Sequence, residues 1–199
     1  MTLSMTEKFT TVFNRTIFVD ANVILYHLFG ESGDATDLLL LGENKRLRLV
    51  TSLRIVDEVI FKCLLWVART KLGLRTKTYN KLKKDKELVK KVTGALSELN
   101  LRKLFSIFDV IEPRSGDLWK SLEYSEKYGL FGNDALTLSL MRRFNLKYIA
   151  TADRDFGNIE WLILVEGDWL FYRQTTFWSA EKKVSPCKEI IAKKKRKKR

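Results

Sequence analysis

Short apolar runs alternate with stretches of helical periodicity along this chain. Thr16–Asp20 (TIFVD) is a β-branched and aromatic run closed by an acid, and it predicts a buried strand. Helical patterns follow over Ala21–Phe29 and Asp34–Asn44, then a second strand over Leu47–Thr51. Leu53–Lys71 predicts a long helix whose apolar stripe carries Ile55, Val59, Ile60, Cys63, Leu64 and Val67. The lysine-rich stretch 71–91 predicts a helix with an exposed face, and Ala95–Lys103 continues helical. Phe105–Ile111 predicts a third strand that Pro113 stops. Helices over Asp117–Tyr128 and Asn133–Phe144 precede a fourth strand, Lys147–Thr151 (KYIAT), and a fifth, Trp161–Val165 (WLILV). Strands separated by helices imply parallel pairing through right-handed crossovers. The expected architecture is α/β, with three layers (α/β/α) around a mainly parallel five-stranded sheet. Residues 1–15 read as a lead-in, 16–180 as the folded domain and 181–199 as a basic tail.

Composition narrows the chemistry. Hydrophobic residues are 45% of the 199 and aromatics 12%, enough for a real core. The two cysteines, Cys63 and Cys187, are far apart, which excludes a disulfide framework and fits a reducing compartment. With a single histidine, His27, a zinc finger is excluded, and nothing positions that ring as a general base. No signal-peptide pattern opens the chain and no apolar run is long enough to span a bilayer. A cytoplasmic protein with no membrane contact is expected, nuclear only in a eukaryotic host.

The net charge of +13 is unevenly placed. Residues 193–199 are all Lys or Arg, and 71–91 holds nine basic residues against Asp85 and Glu87, so the rest of the chain is near neutral. A neutral body with two basic attachments points to a polyanionic partner. Lys81, Lys83 and Lys84 of the first attachment, Lys193, Lys194, Lys195 and Arg196 of the second, and Arg154 are the candidate phosphate contacts. The bland alternatives are a solvated helix face with Lys–Glu pairs and a solubilising end.

Acids gather where a parallel sheet binds ligands, beyond the carboxyl ends of its strands. Asp20 closes the first strand, Asp153 and Asp155 follow the fourth, Asp134 opens the helix leading to the fourth, and Glu58 lies early in the helix after the second. Each has a modest reading of its own. Asp20 and Asp134 suit helix caps, Glu58 suits an i,i+4 pair with Lys62, and Asp153 and Asp155 suit a turn. Together they call for a cation, because two carboxylates about 4 Å apart repel by roughly 4 kcal/mol at an effective dielectric of 20. An all-oxygen ligand set without His or Cys selects Mg²⁺ or Mn²⁺. Such a centre with basic flanks suits phosphodiester hydrolysis.

Four segments carry a family resemblance: FVDANVIL (Phe18–Leu25), SLRIVDEV (Ser52–Val59), GNDALTLSL (Gly132–Leu140) and TADRDF (Thr151–Phe156). In that order they resemble the PIN-domain ribonucleases, and within them the compact prokaryotic branch that includes VapC-type toxins. The resemblance implies a PIN-like fold and a Mg²⁺- or Mn²⁺-dependent endoribonuclease acting on single-stranded or structured RNA. It maps Asp20, Glu58, Asp134 and Asp153 onto the acidic quartet, with Asp155 as auxiliary or substitute ligand and Asn22 and Thr151 as supporting polar residues. It further implies an antitoxin or other protein partner and pairing into a homodimer. The chain is longer than a minimal toxin, which leaves an RNA-processing role open. A non-catalytic RNA-binding or scaffold protein on the same fold is the alternative outside enzymes. An aspartyl-nucleophile phosphatase lacks its second aspartate, since Asn22 stands where D-x-D needs one, and no G-x-G-x-x-G turn follows the first strand. The aromatic group Trp161, Trp169, Phe171, Tyr172, Phe177 and Trp178 is expected to pack the end of the domain rather than stack bases.

Overall fold

Five short strands, all paired in parallel, run in the order β3-β2-β1-β4-β5 through the computed structural model, which describes residues 9–74 and 76–171. They are β1 (Thr16–Val19), β2 (Arg48–Ser52), β3 (Phe108–Ile111), β4 (Tyr148–Ala150) and β5 (Ile163–Leu164). In the central register Phe18 faces Val50 on one side and Ile149 on the other. Ile17, Phe18, Val19, Ile149 and Ala150 are completely buried, as a strand covered on both faces requires.

Helices α1 (Ala21–Leu28) and α2 (Gly33–Glu43) connect β1 to β2. The next crossover holds α3 (Leu53–Thr70), α4 (Thr78–Lys84), α5 (Lys86–Leu96) and α6 (Leu101–Phe105), and α7 (Ser115–Tyr128) and α8 (Asn133–Arg143) lead to β4. The chain steps outward from β1 to β3 and then returns past β1 to β4. Right-handed crossovers therefore place α7 and α8 on the sheet face opposite the earlier helices. The reversal makes the gap between the carboxyl ends of β1 and β4 the topological switch point.

The pattern and the structure part company in a few places. The third strand begins at Phe108, not Phe105, because residues 101–105 form α6. Asn100 in left-handed backbone (φ 47, ψ 46) divides the expected 95–103 helix, with a 3-10 turn at Ser97–Leu99 before it. The basic stretch is two helices, broken at the extended Asp85, whose side chain accepts from Leu88 N at 2.9 Å and caps α5. Within the expected lead-in, Phe9 and Val12 belong to the core, and Phe9 stacks on the buried Trp169 with centroids 6.2 Å apart. Trp161 packs against the same core, so the two tryptophans are packing residues. Tyr172, Phe177 and Trp178, Cys187 and the tail lie outside the described residues, as does the boundary at 180. Among the described residues no helix is long and apolar enough to cross a membrane.

Two glycines test the packing. A Cβ on Gly42 of α2 would meet the Leu49 side chain of β2, 2.6 Å from its Cγ, whereas one on Gly94 of α5 would meet nothing within 4 Å. Gly42→Ala should lower stability, since overpacking costs about 1–3 kcal/mol and exceeds the helix-propensity gain of about 1 kcal/mol. Gly94→Ala should raise it by roughly 0.5–1 kcal/mol. Urea midpoints of the two variants, measured side by side, check the opposite signs.

Candidate metal centre

Asp20 sits where β1 becomes α1. Its N–H still donates to Ala150 O of β4 at 3.0 Å, and its side chain then caps the helix, accepting from Ala21 N at 2.7 Å. The other carboxylate oxygen accepts from Thr151 Oγ1 and from Asn22 Nδ2, each at 2.7 Å. Asn22 Nδ2 also reaches Thr151 Oγ1 at 3.3 Å, and its Oδ1 accepts from Ala152 N at 3.0 Å. Thr151 Oγ1 accepts in turn from Asp153 N at 3.0 Å. The Thr151 hydroxyl thus uses its one donor and both acceptor positions, so the ends of β1 and β4 are laced together by polar groups that are all satisfied.

Asp134 arrives from the other sheet face. Gly132, the residue before α8, has φ 56 and ψ −112, a backbone that favours glycine, and this turn swings Asn133 and Asp134 to the crevice. Asn133 Nδ2 donates to Glu58 Oε2 at 3.0 Å, while its Oδ1 accepts from Arg54 Nε at 3.0 Å, so α8 is tied to α3. Glu58 also pairs with Lys62 Nζ at 2.6 Å. The i,i+4 pair and the convergence with the other acids are both present. Asp153 likewise plays the turn role, its Oδ1 accepting from Asp155 N at 2.9 Å.

Asp20, Glu58, Asp134 and Asp153 line one open cleft of about 490 Å³ together with Asn22. Asp155 is exposed and outside the cleft wall, although its charge reaches Asp134. Thr151 lies buried behind the wall. Arg154, Lys81, Lys83 and Lys84 are exposed and do not line the cleft; Lys193, Lys194, Lys195 and Arg196 lie outside the described residues. The cleft also contains residues that the sequence pattern did not mark as site residues: Phe29, Lys62, Trp66, Arg69, Phe131 and Asn133. Lys62 and Asn133 were visible as neighbours of Glu58 and Asp134; nothing in the pattern marked Phe131 or Trp66.

The electrostatics follow from this crowding. Burial raises the Asp20 carboxyl to about 6 against the opposing hydrogen bonds from Thr151 and Ala21 N. Burial pushes Asp134 up to about 7, reinforced by the charges of Asp20, Asp153, Glu58 and Asp155, and no hydrogen bond offsets it. His27 stands apart, held by Thr36 Oγ1 at 3.1 Å and lowered to about 4 by burial, in keeping with a structural role.

Among the described residues no three acidic, His or Cys side chains form a ready-made cation cage. A hydrated Mg²⁺ or Mn²⁺ needs none, because Mg²⁺ takes one or two carboxylates directly and keeps several waters. The four carboxylates, the raised Asp134 and the room in the cleft fit such an ion, whose charge would reverse their repulsion.

The PIN domain family model matches residues 17–162. Ribonuclease VapC2 from Methanocaldococcus jannaschii is 30% identical over 150 residues, which cover 75% of this chain and 93% of that protein. Among solved structures, VapBC2 from Rickettsia felis bound to a DNA fragment from their promoter aligns with a TM-score of 0.46 at 18% identity, over 75% of this chain and 96% of that one. A toxin-antitoxin complex from Klebsiella pneumoniae aligns with a TM-score of 0.46 at 19% identity, over 76% and 98%. With a family model spanning most of its length and a relative aligned across nearly all of its own, this chain belongs to the PIN-domain family.

Proposed function

We propose that the protein is a divalent-metal-dependent endoribonuclease, hydrolysing phosphodiester bonds in RNA at the cleft beyond β1 and β4. The observation that carries this reading is the meeting of Asp20, Glu58, Asp134 and Asp153, from separate elements, on one cleft wall. Similarity to a protein named as a ribonuclease supports it. Asp20, Asp134, Asp153 and Glu58 would hold Mg²⁺ or Mn²⁺, with Asp155 adding charge from outside. When bound, the cation supplies charge neutralisation at the phosphoryl group and lowers the pKa of water. Asn22 and Thr151 fix the direction of the Asp20 carboxylate. Lys62 holds Glu58 in its rotamer, and Arg69 faces the substrate's phosphates. Lys81, Lys83, Lys84, Arg154 and the basic tail draw RNA from a distance, an attraction that weakens as salt rises. In the toxin form of this reading a small antitoxin protein is the inhibitory partner; the added α4–α5 and the tail suit an RNA-processing enzyme as well.

Incubation with a mixed RNA panel and Mg²⁺ or Mn²⁺ should give fragments with 5′-phosphate and 3′-hydroxyl ends. Asn22→Ala and Thr151→Val should lower activity roughly 10- to 100-fold by loosening Asp20, and Asp134→Asn should cost more. Full cleavage by a folded Asp134→Asn protein would remove the proposal.

The raised carboxyls also set a pH dependence of stability. Asp20 and Asp134 titrate near 6 and 7 in the fold against 3.8 for an unperturbed aspartate, so the folded state binds more protons between those values. Their contribution is full below about pH 4 and is lost as pH rises through about 6 to 7. Without metal, stability should fall from about pH 4 to about pH 7 and then level off, and Asp134→Asn should flatten that slope. Mn²⁺ should raise the melting temperature more at the upper pH than at the lower, because the ion competes with protons. Thermal unfolding of both proteins with and without Mn²⁺ checks each sign.

A further inference from the structure

The cleft has aromatic groups that hydrolysis itself does not use. Phe29 and Trp66 stack on each other, centroids 4.9 Å apart and planes 19° from parallel, so packing accounts for them. Phe131 is different. It is 89% exposed and has no ring contact among the described residues, yet it lines the same cleft as the four acids. The connection that bears it is firmly seated: Leu130 is buried, while Gly129 and Gly132 on either side take φ 72 and 56. The carbonyl of Phe131 accepts from Asp134 N at 3.2 Å, tying the ring's backbone to the acid. A neighbouring apolar groove framed by Leu118, Trp119 and Leu122 of α7 is lined by Gly132 and Asn133 but not by Phe131. Phe131 therefore lines the acidic cleft and not that groove.

We propose that Phe131 is a base-stacking platform on which an unpaired nucleobase next to the scissile phosphate lies flat, so that the cleft selects RNA whose bases are free. This rests on the ribonuclease reading above and deepens it. Every nucleobase presents a π-face, which makes an exposed ring a sequence-tolerant contact. A base inside a duplex is already stacked and paired, and reaching Phe131 would require unpairing it first. Exposure of a single such ring costs the fold little and leaves its faces open to a base.

The test is binding of a fluorescent single-stranded oligoribonucleotide, followed by anisotropy, in the Asp134→Asn background so that cleavage does not intervene. Phe131→Ala should weaken binding about 5- to 150-fold, the range expected for one stacked base, and Phe131→Trp should restore it. An abasic site at the contacted nucleotide should weaken binding to the protein that keeps Phe131 by the same factor and leave binding to the F131A variant unaffected. A fully paired duplex should bind both alike. With Asp134 intact, F131A should raise KM on unpaired RNA and leave kcat nearly unchanged. Equal binding by both proteins, or equal sensitivity to every abasic position, would overturn the assignment and mark Phe131 as a protein-facing group. Absence of any cleavage by the parent enzyme would defeat the ribonuclease reading, while the binding comparison would still decide the stacking contact.

Discussion

The site depends on the reversal of winding between β1 and β4. Both strands end at the same edge, and a cleft opens there, lined by Asp20 at the end of β1 and by Asp153 just beyond β4. Side chains there face a crevice instead of a core. The polar lacing of Asp20, Asn22 and Thr151 holds that crevice to a fixed width, with Thr151 donating to Asp20 at 2.7 Å across the two strands. Acids arriving from α3 and α8 then have a rigid partner to meet.

Those acids are not equivalent. Asp20 and Glu58 each have donors on both carboxylate oxygens. Asp134 has none to offset burial and like charge, which is why its proton is held to about 7. A fold optimised for stability alone would pair such a group or remove it. In the proposed metal site the satisfied carboxylates would supply geometry and Asp134 the affinity for a positive ion. The glycine before α8 serves the second purpose, because its φ of 56 turns Asp134 into the crevice.

Much of this was legible in the chain. Asp20 and Asp153 could be placed because β-branched and aromatic runs end just before them, and strand ends have a known functional meaning in parallel sheets. The helix cap at Asp20 and the Glu58–Lys62 pair were each an apparent alternative to a metal site, yet both are made by side chains that also line the common cleft. The start of β3 was misplaced because residues 105–111 are apolar enough for strand or helix, and only the left-handed Asn100 shows where α6 begins. The burial of Phe9 was invisible, since its partner Trp169 is remote in sequence. Phe131 was missed for the opposite reason: periodicity marks apolar residues as core, and an exposed aromatic next to the buried Leu130 breaks that inference.

The stack of Phe9 on Trp169 has a further consequence. It brings the first and last parts of the described chain side by side, with Asp168 fastened to Ser32 and to Gly33 N at the start of α2. The stretch from Phe9 to Trp169 thus begins and ends side by side, and a segment of that kind can be lodged within a surface loop of an unrelated host without prising the host apart. It can equally be closed into a ring and reopened elsewhere, for instance at the Asp85 break between α4 and α5, whose residues do not line the crevice.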